Sequence, residues 1–173
     1  MASTWTQSVT GLNQHLTTIT FIGIELEDGQ EIIGNSVTSA TFDLKKEGSP
    51  TGTMTVQVYN NAGSLIGESD SYNVASLGTS YSSIDFTNIS STATDIGTCI
   101  VLAISGSFDS SNRPFLSMGA TSPSDTLSRY TTSATWDNAS GITGEYSTMS
   151  VTYSDPPSAD QVFIPPPPAQ VRL

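Results

Sequence analysis

The chain has 173 residues and a formal net charge of −11, yet only 12% of its residues are charged, about half the usual fraction. Serine and threonine occupy 52 positions, so hydroxyl groups dominate the polar surface. Five scattered Lys and Arg residues cannot form the basic surface that nucleic acids or anionic membranes require, and we expect neither as a partner.

The first 16 residues predict an extended N-terminal arm, because they are polar and contain one large apolar side chain, Trp5. We expect Trp5 to anchor this arm in a neighbouring subunit. The arm shows neither the basic stretch nor the apolar run of a signal peptide. The whole chain also lacks an apolar run as long as a membrane span.

Residues 17–154 predict a single all-β domain, because period-2 alternation is frequent and helical periodicity is almost absent. Met54, Val56 and Val58 would share one face of a strand. The continuously apolar segment 99–104 predicts a central strand that is covered on both faces. The predicted strands are 18–27, 36–45, 53–59, 81–87, 99–104, 113–119, 128–136 and 146–153.

Turn-forming residues separate these strands, at 27–29, 48–52, 60–63, 109–112 and 137–141. Short strands at such regular spacing are typical of a β-sandwich. We therefore predict an antiparallel β-sandwich or jelly roll.

The C-terminal residues 155–173 form a tail that holds six of the nine prolines. A disordered terminus is one interpretation. The apolar triplet Val162, Phe163 and Ile164 favours another, in which the tail docks on a neighbouring copy. The predicted subunit-contact residues of the tail are that triplet and the polyproline segment Pro165, Pro166, Pro167 and Pro168.

The segment 35–59 contains the run Leu44-Lys45-Lys46-Glu47-Gly48-Ser49-Pro50-Thr51-Gly52, followed by a strand that ends Val58-Tyr59. This pattern resembles that of carbohydrate-binding-module-like jelly-roll domains, which occur in phage and virus structural proteins and in extracellular repeat proteins. The resemblance covers residues 16–154. It implies a β-sandwich, with Gly48 and Gly52 bracketing a tight corner.

Residues that could support catalysis are few. The single cysteine, Cys99, lies in an apolar run and is expected to be a small buried hydrophobe. The single histidine, His15, has no partner imidazole, and the acidic pair Glu25 and Glu27 lies beside a turn, where solvated charge is the ordinary role. We therefore expect a protein that is not an enzyme.

Calcium is the candidate ion, because loop Asp and Asn side chains supply the oxygen ligands that it prefers. The candidate ligands are Asp109, Asn112 and Asp137. None of these loops has the spacing of an EF-hand, and a role in turn formation is the alternative.

Sugar binding would need an exposed aromatic platform beside polar groups. Trp136, which precedes Asp137 and Asn138, is the first candidate, and the further ones are Tyr130, Tyr72 and Tyr81. Core packing is the alternative role for these aromatic rings.

These observations predict a structural subunit of a virion, such as a capsid, decoration or tail protein, or of a similar extracellular assembly. Its arm and tail would bind other copies of the chain, with further virion proteins or glycans as candidate partners. The alternative is a carbohydrate-binding or adhesion module, with calcium as a candidate stabilising ligand. The expected location is the virion or the extracellular space.

Overall fold

The computed structural model describes residues 1–7, 11–119, 126–133, 136, 141–142 and 146–155. Within these ranges the chain forms β-strands and one short 3-10 helix, Val74–Ser76. The strands are β1 (Ala2–Gln7), β2 (Leu12–His15), β3 (Phe21–Leu26), β4 (Ser36–Glu47), β5 (Thr51–Tyr59), β6 (Leu65–Glu68), β7 (Tyr72–Asn73), β8 (Ser82–Phe86), β9 (Cys99–Ser107), β10 (Arg113–Gly119), β11 (Thr126–Thr131), β12 (Gly141–Ile142), β13 (Tyr146–Ser147) and β14 (Met149–Ser154).

The first sheet is built around the 12-residue strand β4. One edge of β4 pairs with β8, and the other edge is shared between β14 and β10. Strand β1 continues the sheet beyond β14, and β2 continues it beyond β10. All these pairings are antiparallel, so strands far apart in sequence become neighbours.

The second sheet has the order β12-β11-β3-β9-β5-β6, with β7 also paired to β5. Its pairings are antiparallel as well. The inward faces of the two sheets enclose one hydrophobic core, so the predicted antiparallel β-sandwich is confirmed. Nor do the described residues include any helix with the length and apolar composition that a membrane crossing needs.

The core follows directly from the alternation of side chains along the strands. From β4 it receives Ala40, Phe42 and Leu44, and from β5 it receives Met54, Val56 and Val58, all of them buried. The phase predicted for the second of these strands is therefore confirmed.

Strand β9 is buried on both faces, as its continuous apolar run predicted. Ile100, Leu102 and Ile104 lie in the main core. Cys99, Val101 and Ala103 point to the outer face of the second sheet, where they form a smaller buried cluster with Phe21 and Trp136. Cys99 is a buried free cysteine, in agreement with the sequence interpretation.

Strand β11 ends earlier than the predicted segment 128–136. The hydroxyl of Thr20 donates its proton to the carbonyl of Ser133 at 2.6 Å, and the backbone N–H of Thr20 donates to the carbonyl of Thr131 at 3.0 Å. These hydrogen bonds hold residues 131–133 against Thr20 at the point where β11 ends. Trp136 then lies outside the strand and covers the outer face of the second sheet.

The N-terminal segment is part of the first sheet and is not the extended arm that the sequence predicted. Residues 2–7 pair with β14 and residues 12–15 pair with β10 of the same chain, and Leu16 is fully buried in the core. Polar composition misled the prediction, because an edge strand with one solvated face needs few apolar residues.

The predicted corner at Gly48–Gly52 packs against the turn at Asp109–Asn112. The side-chain oxygen of Asn112 accepts a hydrogen bond from the backbone N–H of Ser49 at 2.9 Å. Gly48 has a φ of +66°, and a Cβ added there would lie 2.1 Å from the carbonyl oxygen of Ser111. The corner thus requires glycine for both conformation and space.

We predict that Gly48→Ala destabilises the fold more than Gly34→Ala does. Gly34 also has a positive φ, +84°, but an added Cβ there meets nothing within 4 Å. Gly34→Ala should therefore lower the free energy of unfolding by only about 1 kcal/mol of left-handed strain, and Gly48→Ala by at least about twice that, because it adds a clash with backbone. Urea denaturation of both variants measures the difference, and equal losses would contradict the role given to the corner.

Candidate functional site

Trp136, the expected sugar platform, is only 8% exposed. Its ring stacks on Tyr59, with a centroid distance of 5.6 Å and an interplanar angle of 22°, and meets Phe21 edge-on at 6.0 Å. The prediction of an exposed platform at Trp136 is therefore wrong. The ring is buried because the outer side of β9 is apolar, and removing that apolar surface from water is favourable.

Tyr130, the second aromatic candidate, is half-buried and packs against the main core, inside the sandwich. Trp136 covers the opposite face of the same sheet. The two rings therefore do not share a site. Asp137 and Asn138, the polar groups expected beside Trp136, lie outside the described residues.

The calcium candidates Asp109 and Asn112 meet within one turn. The Asp109 carboxylate accepts hydrogen bonds from the backbone N–H groups of Ser111 and Asn112, at 2.7 and 2.8 Å, and from the Asn112 side chain at 3.1 Å. The backbone bond from Ser111, followed by the bonds from Asn112, holds the pKa of Asp109 below its usual value. This geometry is that of an Asx-turn, in which an Asp side chain accepts hydrogen bonds from backbone N–H groups that follow it.

The third calcium candidate, Asp137, lies outside the described residues. Within the ranges that the structure does describe, no three His, Cys, Asp or Glu side chains are grouped closely enough to hold a metal ion. Calcium binding stays a prediction.

Among the predicted subunit contacts, Trp5 is half-buried and packs against the core of its own chain, opposite Val151 of β14. Val162, Phe163, Ile164 and the prolines Pro165, Pro166, Pro167 and Pro168 lie outside the described residues. The contact that they were predicted to make therefore stays a prediction.

A cluster that the sequence analysis did not assemble lies on the outer face of the first sheet, and Tyr81 is its one member that was a candidate for sugar binding. We name Lys45, Tyr81, Arg113 and Phe115 the cation–aromatic cluster. The Lys45 ammonium lies 4.5 Å from the ring centroid of Tyr81 and 5.1 Å from that of Phe115, and the Arg113 guanidinium lies 5.0 Å from Phe115. Cations at these distances are attracted by the negative ring faces.

Neighbouring polar groups orient this cluster. The Tyr81 hydroxyl donates a hydrogen bond to the Asn13 side chain at 2.6 Å, and burial raises the pKa of Tyr81. Arg113 pairs with Glu47 at 3.1 Å, whereas Lys45 forms no ion pair with any described carboxylate. The single histidine, His15, meets the Phe115 ring edge-on at 5.7 Å.

A groove of about 450 Å³ adjoins the cluster. Its lining includes Lys45, Lys46, Thr79, Phe115 and Glu47, whose carboxylate pairs with Arg113. Three of the five Lys and Arg residues of the chain therefore lie in one place. In a protein of net charge −11, this groove is a local positive region that suits an anionic group.

Alternation along two strands contained part of the signal for this cluster. Phe42 and Leu44 face the core, so Lys45 must face outward. Leu116 and Met118 also face the core, so Phe115 must face outward as well. The adjacency of Lys45 and Phe115 follows only from the pairing register of β4 and β10, which the sequence did not reveal.

The same outer face continues into a second region, which we name the hydroxyl face. It is formed by short uncharged side chains on β1, β4 and the β13–β14 segment: Thr4, Thr6, Thr41, Thr148, Ser150 and Thr152. Its surface is shallow, with one depression of about 130 Å³ between Thr6, Thr41 and Ser150.

Two carboxylates, Asp43 and Asp85, bound the hydroxyl face on the β8 side. Asp85 accepts a hydrogen bond from Thr41 and Asp43 accepts one from Ser83, both at 2.7 Å. The face therefore changes from acidic to uncharged as it runs from β8 towards β1.

Comparison of the chain with protein-family models, with curated protein sequences and with solved structures found no match in any of the three. The suspected relationship to carbohydrate-binding-like jelly rolls therefore stays a prediction.

We predict that Trp136→Ala acts on stability. Removal of the ring opens the cluster with Phe21 and Tyr59, and should lower the free energy of unfolding by about 3–5 kcal/mol. The control Trp136→Phe keeps an aromatic cover and should cost clearly less. Urea denaturation checks both variants, and an unchanged unfolding midpoint for Trp136→Ala would contradict this packing role.

Proposed function

We propose that the protein is a non-enzymatic structural subunit of a virion or a similar extracellular assembly, and that it associates with copies of itself. The observation that carries this proposal is the hydroxyl face, a broad outer surface of six Ser and Thr side chains. The resemblance around the Lys45-Lys46 corner supports it.

The physical argument concerns charge. Copies of a chain with a net charge of −11 repel one another, and burying ions in a contact is costly. Short hydroxyl side chains can be buried between two copies at lower cost, because they carry no charge and can hydrogen-bond across the contact. The uncharged end of the hydroxyl face is thus suited to close packing.

The tail supplies the second element of the proposal. A proline-rich segment loses less conformational entropy on docking than an ordinary chain does. The apolar triplet at 162–164 would then fill a pocket on a neighbouring copy. Because β14 ends at Ser154, all the described strands precede the tail.

We predict that deletion of residues 156–173 lowers the mass of the assembly in solution and leaves the sandwich folded. Static light scattering measures the mass, and circular dichroism with thermal melting measures the fold. A full-length variant with Val162→Ser, Phe163→Ser and Ile164→Ser keeps the prolines and should reproduce the loss. An assembly mass that is unchanged by the deletion would overturn the role of the tail.

A second candidate function, carbohydrate binding or adhesion, is favoured by the cation–aromatic cluster. Tyr81 and Phe115 offer rings, Asn13 offers an amide, and Lys45 offers an ammonium beside a groove. Because Lys45 lies over both rings, a ligand would meet the cation first. We therefore propose saccharides that bear a carboxylate or a sulfate as the class bound there.

We predict that Lys45→Met weakens binding of acidic glycans by about tenfold, the value of one charge-assisted hydrogen bond. The matched control is Lys46→Met, since Lys46 donates to the carbonyl of Ala75 and its removal changes the net charge equally. Its effect should be smaller. A glycan array followed by titration of the best binder measures both. Equal effects of the two variants would mean that the positive charge of the groove as a whole attracts the glycan, since Lys46 also lines it, and would contradict a specific contact at Lys45.

A further inference from the structure

Strand β1 is an edge strand, since among the described strands it pairs with β14 alone. It is six residues long, and Ala2, Ser3, Thr4 and Thr6 are exposed. An edge of this kind presents a row of backbone N–H and C=O groups that can pair with another strand.

The opposite edge of the same sheet is protected and β1 is not. Strand β8 carries Asp85 and lies beside Asp43, and charge on an edge blocks pairing. In the second sheet, one of the edge strands, β6, carries Glu68 and pairs through a bulge. Strand β1 has neither a charged residue nor a proline, and its register with β14 has no bulge.

We propose that β1 pairs in antiparallel fashion with β1 of a second copy of this chain, so that the two first sheets become one continuous sheet. This inference rests on the proposed self-association and specifies one of its contacts. Charge selects a second copy as the occupant. Strand β1 carries no charged side chain, and the two charges at its start, the Met1 ammonium and the Asp155 carboxylate, pair with each other at 3.6 Å, so two molecules of charge −11 can approach along this edge.

The sequence of β1 suits a two-fold contact. The triplet Thr4-Trp5-Thr6 is symmetric about Trp5, so antiparallel pairing centred there places Thr4 opposite Thr6 of the other copy and joins the two hydroxyl faces. The two half-buried Trp5 rings would then cover each other on the inward side. Such a contact is isologous, so it closes as a dimer.

The tail is the competing occupant of this edge, and it fits less well. Its apolar triplet at 162–164 is half as long as β1. The four prolines that follow cannot donate a hydrogen bond to a ladder.

The test uses charge exchange in the full-length chain. Thr4→Lys with Thr6→Lys places like charges opposite each other twice in the proposed register, and Thr4→Glu with Thr6→Glu does the same with the opposite sign. Each double variant alone should lose the contact. An equimolar mixture should regain it, because each Lys then faces a Glu.

The matched control is Thr51→Lys with Thr53→Lys on β5. These two residues are exposed and belong to the second sheet, so they lie outside both β1 and the hydroxyl face, and the substitution adds the same charge. Sedimentation velocity measures the mass of every variant and of the mixture. We expect the control to associate as the unmodified chain does.

The results of these measurements separate the β1 contact from the proposed function. If the unmodified chain associates and both edge variants do so equally, the β1 contact is overturned while the proposed function stands. Loss of association in the control as well, with no recovery when the Lys and Glu variants are mixed, would mean that added charge and not the β1 register decides, and would also overturn the β1 contact. An unmodified chain that stays monomeric at high concentration would overturn both.

Discussion

The alternation of side chains along β4 is the constraint on which the rest of the structure depends. Phe42 and Leu44 point into the core, so Thr41, Asp43 and Lys45 must point outward. A shift of β4 by one residue in its pairing register would turn the outward side chains into the core and the core side chains outward, so the two sets are linked. Because β4 pairs with β8, β10 and β14, this one phase places both the cation–aromatic cluster and the hydroxyl face on the outer surface.

Strand β9 imposes a second constraint, because both of its faces are apolar. The inner face is covered by the facing sheet, and the outer face needs a cover of its own. Trp136 supplies that cover with Phe21 and Tyr59. Because Trp136 is buried over the outer face of β9, it is not a candidate for an exposed binding site.

Charge is distributed so that the two edges of the first sheet differ. Carboxylates lie at the β8 edge, and hydroxyl groups extend to the β1 edge. Strands β1 and β14 carry no charged side chain, and the Met1 ammonium and the Asp155 carboxylate at their ends pair with each other. Three of the five Lys and Arg residues, Lys45, Lys46 and Arg113, lie together elsewhere on the same face. Repulsion between copies would be weakest along β1.

Local patterns in the sequence were enough to predict the fold class, the strand at 113–119, the burial of Cys99 and the corner at 48–52, because alternation and turn chemistry are local properties. The prediction for residues 1–16 was wrong, since a polar edge strand and a solvated arm have the same composition. The burial of Trp136 and the contacts of Lys45 with Tyr81 and Phe115 became visible only in the folded chain. Those contacts depend on strand register and on which sheet each strand joins, and pairing across long sequence separations leaves no mark on either partner alone.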